Sequence, residues 1–247
     1  MGTLGVVDLG RRAYGQVLEL QRRLAAHRAA GSLPHDLLLL VEHDPVVTLG
    51  RGTRETSLPI PPARLGDHGV EVFEIERGGD VTYHGPGQLV GYPIVDLSRL
   101  RPDLHWYLRE LEGALIDGLG VLGIPARRRP GLTGVWVEDR KVASIGIHVK
   151  RWVTFHGFAL NVVNDLRPFD LIVPCGIHGV TMTSVARELG EAAGPALWVE
   201  TRAAVVRALA DRLGMAPAPV GAEALPGNPA GPPGVGEVDR EASTLHP

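Results

Sequence analysis

The 247 residues include one cysteine, Cys175, and two lysines, Lys141 and Lys150. A single cysteine forms no internal disulfide. No apolar run reaches the roughly 18 residues of a membrane span, so no membrane association is expected. Met1 to Arg12 carries Asp8 and no long apolar stretch, which speaks against a signal peptide. With the lone cysteine this points to a reducing, cytoplasmic setting. No CxxC, HxH or HExxH spacing occurs, so no metal site is expected. Basic residues number 25 against 28 acidic ones, a net charge of −3. A protein that coats nucleic acid would be basic, so that class of partner is set aside.

The scarcity of lysine bears on chemistry. All but two of the 25 basic residues are arginine. Arginine keeps its proton in a protein, whereas lysine releases one when its surroundings demand it. A G+C-rich coding sequence would produce the same bias, so composition marks Lys141 and Lys150 for testing and does no more.

Ala216 to Pro247 holds seven prolines, five glycines and no aromatic residue, and is expected to be a flexible tail after a globular part at 1–215. Within that part, Arg11 to Ala30 and Leu104 to Leu122 have helical apolar spacing, as does Glu200 to Leu213. Leu37 to Val41, Val70 to Glu76, Val81 to Tyr83 and Gln88 to Val95 read as strands. So do Val135 to Glu138, Val142 to Val149 and Val153 to Leu160. Strands come in consecutive groups rather than alternating with helices. The expected fold class is therefore α+β, one domain with a mixed β-sheet flanked by helices.

Three clusters are candidates for chemistry. Arg77-Gly78-Gly79-Asp80-Val81-Thr82-Tyr83-His84-Gly85-Pro86-Gly87-Gln88 has four glycines in twelve residues. It matches neither a P-loop nor a dinucleotide fingerprint. A hairpin with glycine turns explains it, and so does a glycine-lined cleft wall with Arg77 and His84 facing the cleft. Pro174-Cys175-Gly176 puts the cysteine in a loop, with His178 close behind and His156 on a nearby strand. A buried inert thiol and a nucleophile with a base both fit that pattern. Lys141 opens a half-buried strand whose polar face carries Ser144, Gly146 and His148.

These clusters together resemble the lipoyl(octanoyl) transferases. The resemblance rests on Arg77 to Leu89, on Gly134-Val135-Trp136-Val137 through Arg140-Lys141-Val142-Ala143-Ser144-Ile145-Gly146, on His156 to Asn161, and on Val173-Pro174-Cys175-Gly176-Ile177 followed by Thr183-Ser184. The motifs occur in the family's order. The resemblance implies a fold related to the catalytic domains of biotin and lipoate protein ligases. It implies octanoyl transfer from octanoyl-acyl carrier protein to lipoyl domains of 2-oxoacid dehydrogenases and of the glycine cleavage H protein, with no cofactor. It also implies Cys175 as the acyl-accepting nucleophile and Lys141 as the residue that lowers the pKa of that thiol. Substrate would be held by Arg77, Gly78, Gly79, Asp80, Val81, Thr82, Tyr83 and His84, by Ser144, Ile145 and Gly146, and by Gly157, Phe158 and Ala159.

Three other readings share the scaffold. An ATP-dependent lipoate or biotin protein ligase would need no cysteine. A non-catalytic carrier-binding module would need neither Cys175 nor Lys141. A thioester hydrolase would release free octanoate. The resemblance brings in acidic carrier proteins and lipoyl domains, for which Arg127-Arg128-Arg129, the densest cationic stretch, is the candidate docking patch, although most charge runs are simply solvated.

Overall fold

The structure is a computed structural model and describes residues 2–176 and 179–226. Its strands in chain order are β1 (Gly2–Arg12), β2 (Asp36–His43), β3 (Val46–Leu49), β4 (Glu71–Glu74), β5 (Thr82–His84) and β6 (Gln88–Ile94). They continue with β7 (Arg127–Arg129), β8 (Leu132–Val137), β9 (Arg140–Lys150), β10 (Val153–Asn161), β11 (Thr181–Met182) and β12 (Met215–Pro219). The long helices are α1 (Tyr14–Ala29), α2 (Leu104–Val121) and α3 (Leu197–Arg212).

Among the described residues, one mixed nine-stranded sheet runs β12-β1-β2-β6-β10-β9-β8-β7, with β11 alongside β9. A small sheet, β4-β3-β5, adjoins it. Both faces of the large sheet are covered. Leu37, Leu39 and Val41 of β2 pack with Val90, Tyr92 and Ala159 on the α1 side. Leu38 and Leu40 pack with Phe158, Leu160, Leu111 and Leu115 on the α2 side. A strand alternates its side chains, so burial on both faces requires an unbroken apolar run, which is what Leu37 to Val41 provides.

The elements expected from periodicity form, with shifts at their ends. Arg11 and Arg12 belong to β1, not to the first helix, which begins at Tyr14. Gln21 lies on the buried face of α1 and is fully covered. Two two-residue turns join β8 to β9 and β9 to β10. In the second, Arg151 and Trp152 both have positive φ, the backbone that matches hairpin twist.

The chain beyond Met215 stays with the domain for another ten residues. β12 pairs in parallel with β1, from Gly2 opposite Met215 to Val6 opposite Pro219. Pro217 and Pro219 fit there because an edge strand needs hydrogen bonds on one side only. Leu225 is buried in the α1-side core. Residues 227–247 of the expected tail lie outside the described residues.

Leu225→Ala is expected to cost about 2–4 kcal/mol, since it removes a fully packed side chain. The melting temperature should fall by roughly 4–12 °C for a domain of this size. A change of less than a degree would show that this segment contributes no core packing.

Candidate active site

Glycines and a buried carboxylate shape the site. β8 pairs with β9 only where Val135 faces Ala143, Trp136 faces Lys141 and Val137 faces Arg140. At Gly134 the backbone takes φ 125°, and a Cβ there would meet the Ala143 carbonyl and Lys141 Cε at 2.7 Å. Only glycine fits both demands. The Gly134 N–H donates to Glu112 Oε1 (3.1 Å), and Glu112, on α2, is buried. The other oxygen of Glu112 accepts from Arg109 (2.5 Å) and from Arg128 Nε (3.0 Å). Arg129 lies over the Trp136 ring at 4.9 Å, and Arg127 donates to the Glu138 carbonyl. The three arginines expected as a docking patch are thus tied to the domain and brace the strand beside Lys141.

Lys141 is 1% exposed, and its ammonium lies 5.4 Å from the centre of the Trp136 ring. The segment after the cysteine returns to this point. β11 pairs with Arg140 and Lys141, and the Thr183 N–H donates to the Lys141 carbonyl. Pro174–Gly176 forms a single helical turn whose approach is fixed by Val173 N–H donating to the Ser57 carbonyl. Ser57 Oγ in turn donates to Asp80 Oδ2 at 2.7 Å. Gly176 presses so closely on Asp80 that a Cβ there would collide with the carboxylate. The side chain of Cys175, and the whole of His178, lie outside the described residues.

Asp80 also lines a cavity of about 240 Å³ that runs along the α1 side of β9 and β10. Among the residues named from sequence, Arg77, Gly79, Asp80, Val81, Thr82 and His84 line it. So do Ser144, Ile145 and Gly146 of β9, and Gly157, Phe158 and Ala159 of β10. Gly78 and Tyr83 do not. The Gly78 N–H is bonded to the Ile147 carbonyl, and Tyr83 packs edge-on against Phe169. Lys141 does not line the cavity; it pairs with Trp136, three residues past the end of the Gly131–Thr133 segment that does. Arg77 contributes its stem to the wall, while its guanidinium donates to the Thr48 carbonyl and hydroxyl at 2.9 Å.

Tyr14, Val90, Tyr92, Gly131, Leu132, Thr133 and His156 also line the cavity. Sequence reasoning did not place them there. Tyr14 and Tyr92 lie in an amphipathic helix and an apolar strand, where an aromatic residue carries no mark of a ligand.

The imidazoles at and behind the cavity wall, His84 and His43, are neutral. Burial pushes His43 down to about 4, and burial with neighbouring His43 pushes His84 down to about 3. His84 Nδ1 donates to Gln88 Oε1 at 2.8 Å, because the Gln88 amide N–H groups are already given to Asn161 Oδ1 and the Tyr83 carbonyl. His43 Nδ1 donates to the Arg12 carbonyl, which leaves Nε2 to accept from the Tyr92 hydroxyl at 2.8 Å. Asn161 continues the network by donating to the Thr183 carbonyl beside Lys141. Neutral rings and fixed hydroxyls suit an uncharged chain rather than an anion.

The chain matches the family model of the lipoyl protein ligase A/B catalytic domain over residues 13–209. An octanoyltransferase of Geobacter sulfurreducens is 54% identical over 187 residues, covering 76% of each chain. One of Geotalea uraniireducens is 48% identical over 202 residues, covering 82% of this chain and 89% of the relative. Among solved structures, a putative lipoate protein ligase from T. acidophilum superposes with a TM-score of 0.68 at 16% identity, covering 90% of this chain and 89% of that one. A lipoate-protein ligase A solved with ATP superposes with 0.65 at 17% identity, covering 89% and 88%. At those identities the superpositions establish the fold.

The two buried histidines predict a pH dependence. Their folded-state values, about 4 and about 3, lie below the ordinary 6.5 of an unfolded chain. The unfolded chain therefore binds more protons over that window, so stability is full above about pH 6.5 and is lost as pH falls. At pH 5 the loss should be about 4 kcal/mol for the pair. Urea midpoints at pH 7 and pH 5 measure it, and equal midpoints would show that the rings are not buried neutral.

Proposed function

The chain belongs to the lipoyl protein ligase A/B catalytic-domain family, and from that premise we propose that it moves an octanoyl group from octanoyl-acyl carrier protein, through a thioester on Cys175, to the lysine amine of a lipoyl domain. It is an acyltransferase of protein lipoylation, as are the octanoyltransferases that it matches at 48–54% identity over most of its length. Acyl donors and lipoyl-domain acceptors in general are its substrates. The particular pair that we propose is octanoyl-acyl carrier protein with the lipoyl domains of 2-oxoacid dehydrogenases and the glycine cleavage H protein, acting in the cytoplasm. No described helix is long and apolar enough to cross a membrane.

One observation supports the residue roles best. Lys141, a buried lysine, shares a strand pairing with the segment that follows the Cys175 turn, and Asp80, against which Gly176 of that turn packs, lines the cavity together with Ser144 of the Lys141 strand. An ammonium beside a thiol favours the thiolate, which is the attacking form. The Cys175 sulfur attacks the donor carbonyl, a carbon–sulfur bond to Cys175 forms, and the pantetheine sulfur leaves as a thiol, taking its proton from the Lys141 ammonium and leaving that amine neutral. One thioester replaces another, so this step is close to thermoneutral. The lipoyl-domain lysine then attacks the Cys175 thioester as a neutral amine. The Cys175 thiolate leaves, and Lys141 takes the proton from the new amide nitrogen. Amide formation makes the second step downhill without ATP. Ser144, Ile145 and Gly146 with Gly157, Phe158 and Ala159 would hold the acyl chain, and the Arg77–His84 segment would close over it.

Two measurements test this reading. Transfer to a lipoyl domain should proceed from octanoyl-acyl carrier protein with no ATP, and free octanoate with ATP should not substitute. Lys141→Arg keeps a positive charge but cannot cycle a proton, so single-turnover transfer should fall by about 10²-fold or more. Near-normal transfer by that variant would remove Lys141 as the proton carrier.

A further inference from the structure

His156 lies inside β10 with φ 58°. The other described non-glycine residues with positive φ, namely Glu138, Arg151 and Trp152, sit at hairpin turns. A left-handed backbone costs a residue with a side chain free energy that glycine would not incur, and such positions persist where surroundings enforce them. Here the enforcement is visible. The His156 N–H donates to Gln21 Oε1 at 2.8 Å, and the ring stacks on Phe155 at 5.1 Å. The residue is 1% exposed. Its Nε2 has no hydrogen-bond partner, and the nearest carboxylate oxygen, on Glu76, is 3.9 Å away. Arg22 grips both oxygens of that carboxylate at 2.9 Å.

This ring lines the inner end of the acyl cavity. Beyond it, on the same α1 side, is a second cavity of about 530 Å³ bounded by Ala25, Ala29, Glu76, His148 and Phe155. His156 and Glu76 stand between the two. Position along the sheet supplies a length. Ser144, the cavity residue of β9 nearest Lys141, and Ile147, which pairs with His156, are three residues apart, roughly 10 Å of strand.

We propose that His156 is the stop that sets acyl-chain length, so that the cavity takes a medium-chain acyl group ending at this ring and rejects longer ones. The inference rests on the reading that this cavity holds the acyl chain. A longer chain would have to displace a ring stacked on Phe155 whose backbone is held by Gln21, or press methylene groups against the unpartnered Nε2. Removing the ring opens the way toward the second cavity, whose apolar lining is Ala25, Ala26, Ala29 and Phe155.

The test is a series of hexanoyl, octanoyl, decanoyl and dodecanoyl thioesters with the unmodified protein, His156→Gly and His156→Asn. Glycine accepts φ 58° without strain, and asparagine tolerates it better than most side chains, so both variants should fold. The unmodified protein should prefer octanoyl over decanoyl. In His156→Gly the ratio of decanoyl to octanoyl kcat/KM should rise by about tenfold or more, the usual effect of one or more methylenes in a shaped pocket. His156→Asn, shorter but polar, should give a smaller rise. An unchanged ratio in a folded variant would overturn the proposal, as would equal use of dodecanoyl and octanoyl thioesters by the unmodified protein. Calorimetry with the matching non-transferable acyl-pantetheine amides separates this from the reaction itself. Length discrimination in binding without any transfer would remove the transferase reading and keep the stop. Octanoyl transfer without length discrimination would do the reverse.

Discussion

The parting of β8 from β9 at Gly134 is the constraint on which the site depends. Up to Ala143 the two strands are paired, and Lys141 is held inside that pairing against Trp136. Past it, the edge of β9 is open until the Gly78 N–H closes on Ile147, and the cavity occupies the opening. Sheet edges close wherever a partner strand continues, so something must hold β8 away. The buried Glu112 does this by taking the Gly134 N–H out of the ladder. A buried carboxylate is costly unless neutralised, which explains why Arg109 and Arg128 converge on it from a helix and an edge strand.

The same opening separates two environments. Toward β11 and the Cys175 turn the groups are polar or charged: Asp80, Ser57 and Lys141. Toward α1 the imidazoles are uncharged at neutral pH, because burial holds His43 and His84 unprotonated, and the Arg77 guanidinium is given to Thr48. A relay of buried amides, Gln88 to Asn161 to the Thr183 carbonyl, joins the ends and fixes β11 beside Lys141. A flexible apolar chain is sorted by such a gradient. Its reactive carbonyl is left where charge develops, and its tail goes among neutral rings.

How much was legible in the sequence follows from how local each signal is. Glycine clusters and strand periodicity located β5, β6, β9 and β10, and these carry twelve of the cavity residues named beforehand, together with the glycine-rich segment before β5. β12 was read as tail because its prolines and lack of bulk are evidence against a core strand, yet they are compatible with an edge. Arg127 to Arg129 read as a solvent-facing charge run because Glu112, the partner of Arg128, is on a helix some fifteen residues earlier. Tyr14, Tyr92 and His156 meet only because α1, β6 and β10 share one side of the sheet, a fact that belongs to topology. The backbone strain at His156 has no sequence signature at all.

The account's central claim is that acyl transfer passes through Cys175. Intact-mass measurement after mixing with octanoyl-acyl carrier protein, in the absence of an acceptor, tests it most directly. The protein should gain one octanoyl group, hydroxylamine should remove it, and Cys175→Ser should gain none and lose transfer. A protein that octanoylates a lipoyl domain at its normal rate with no acyl adduct at Cys175, or with serine in that position, would contradict it.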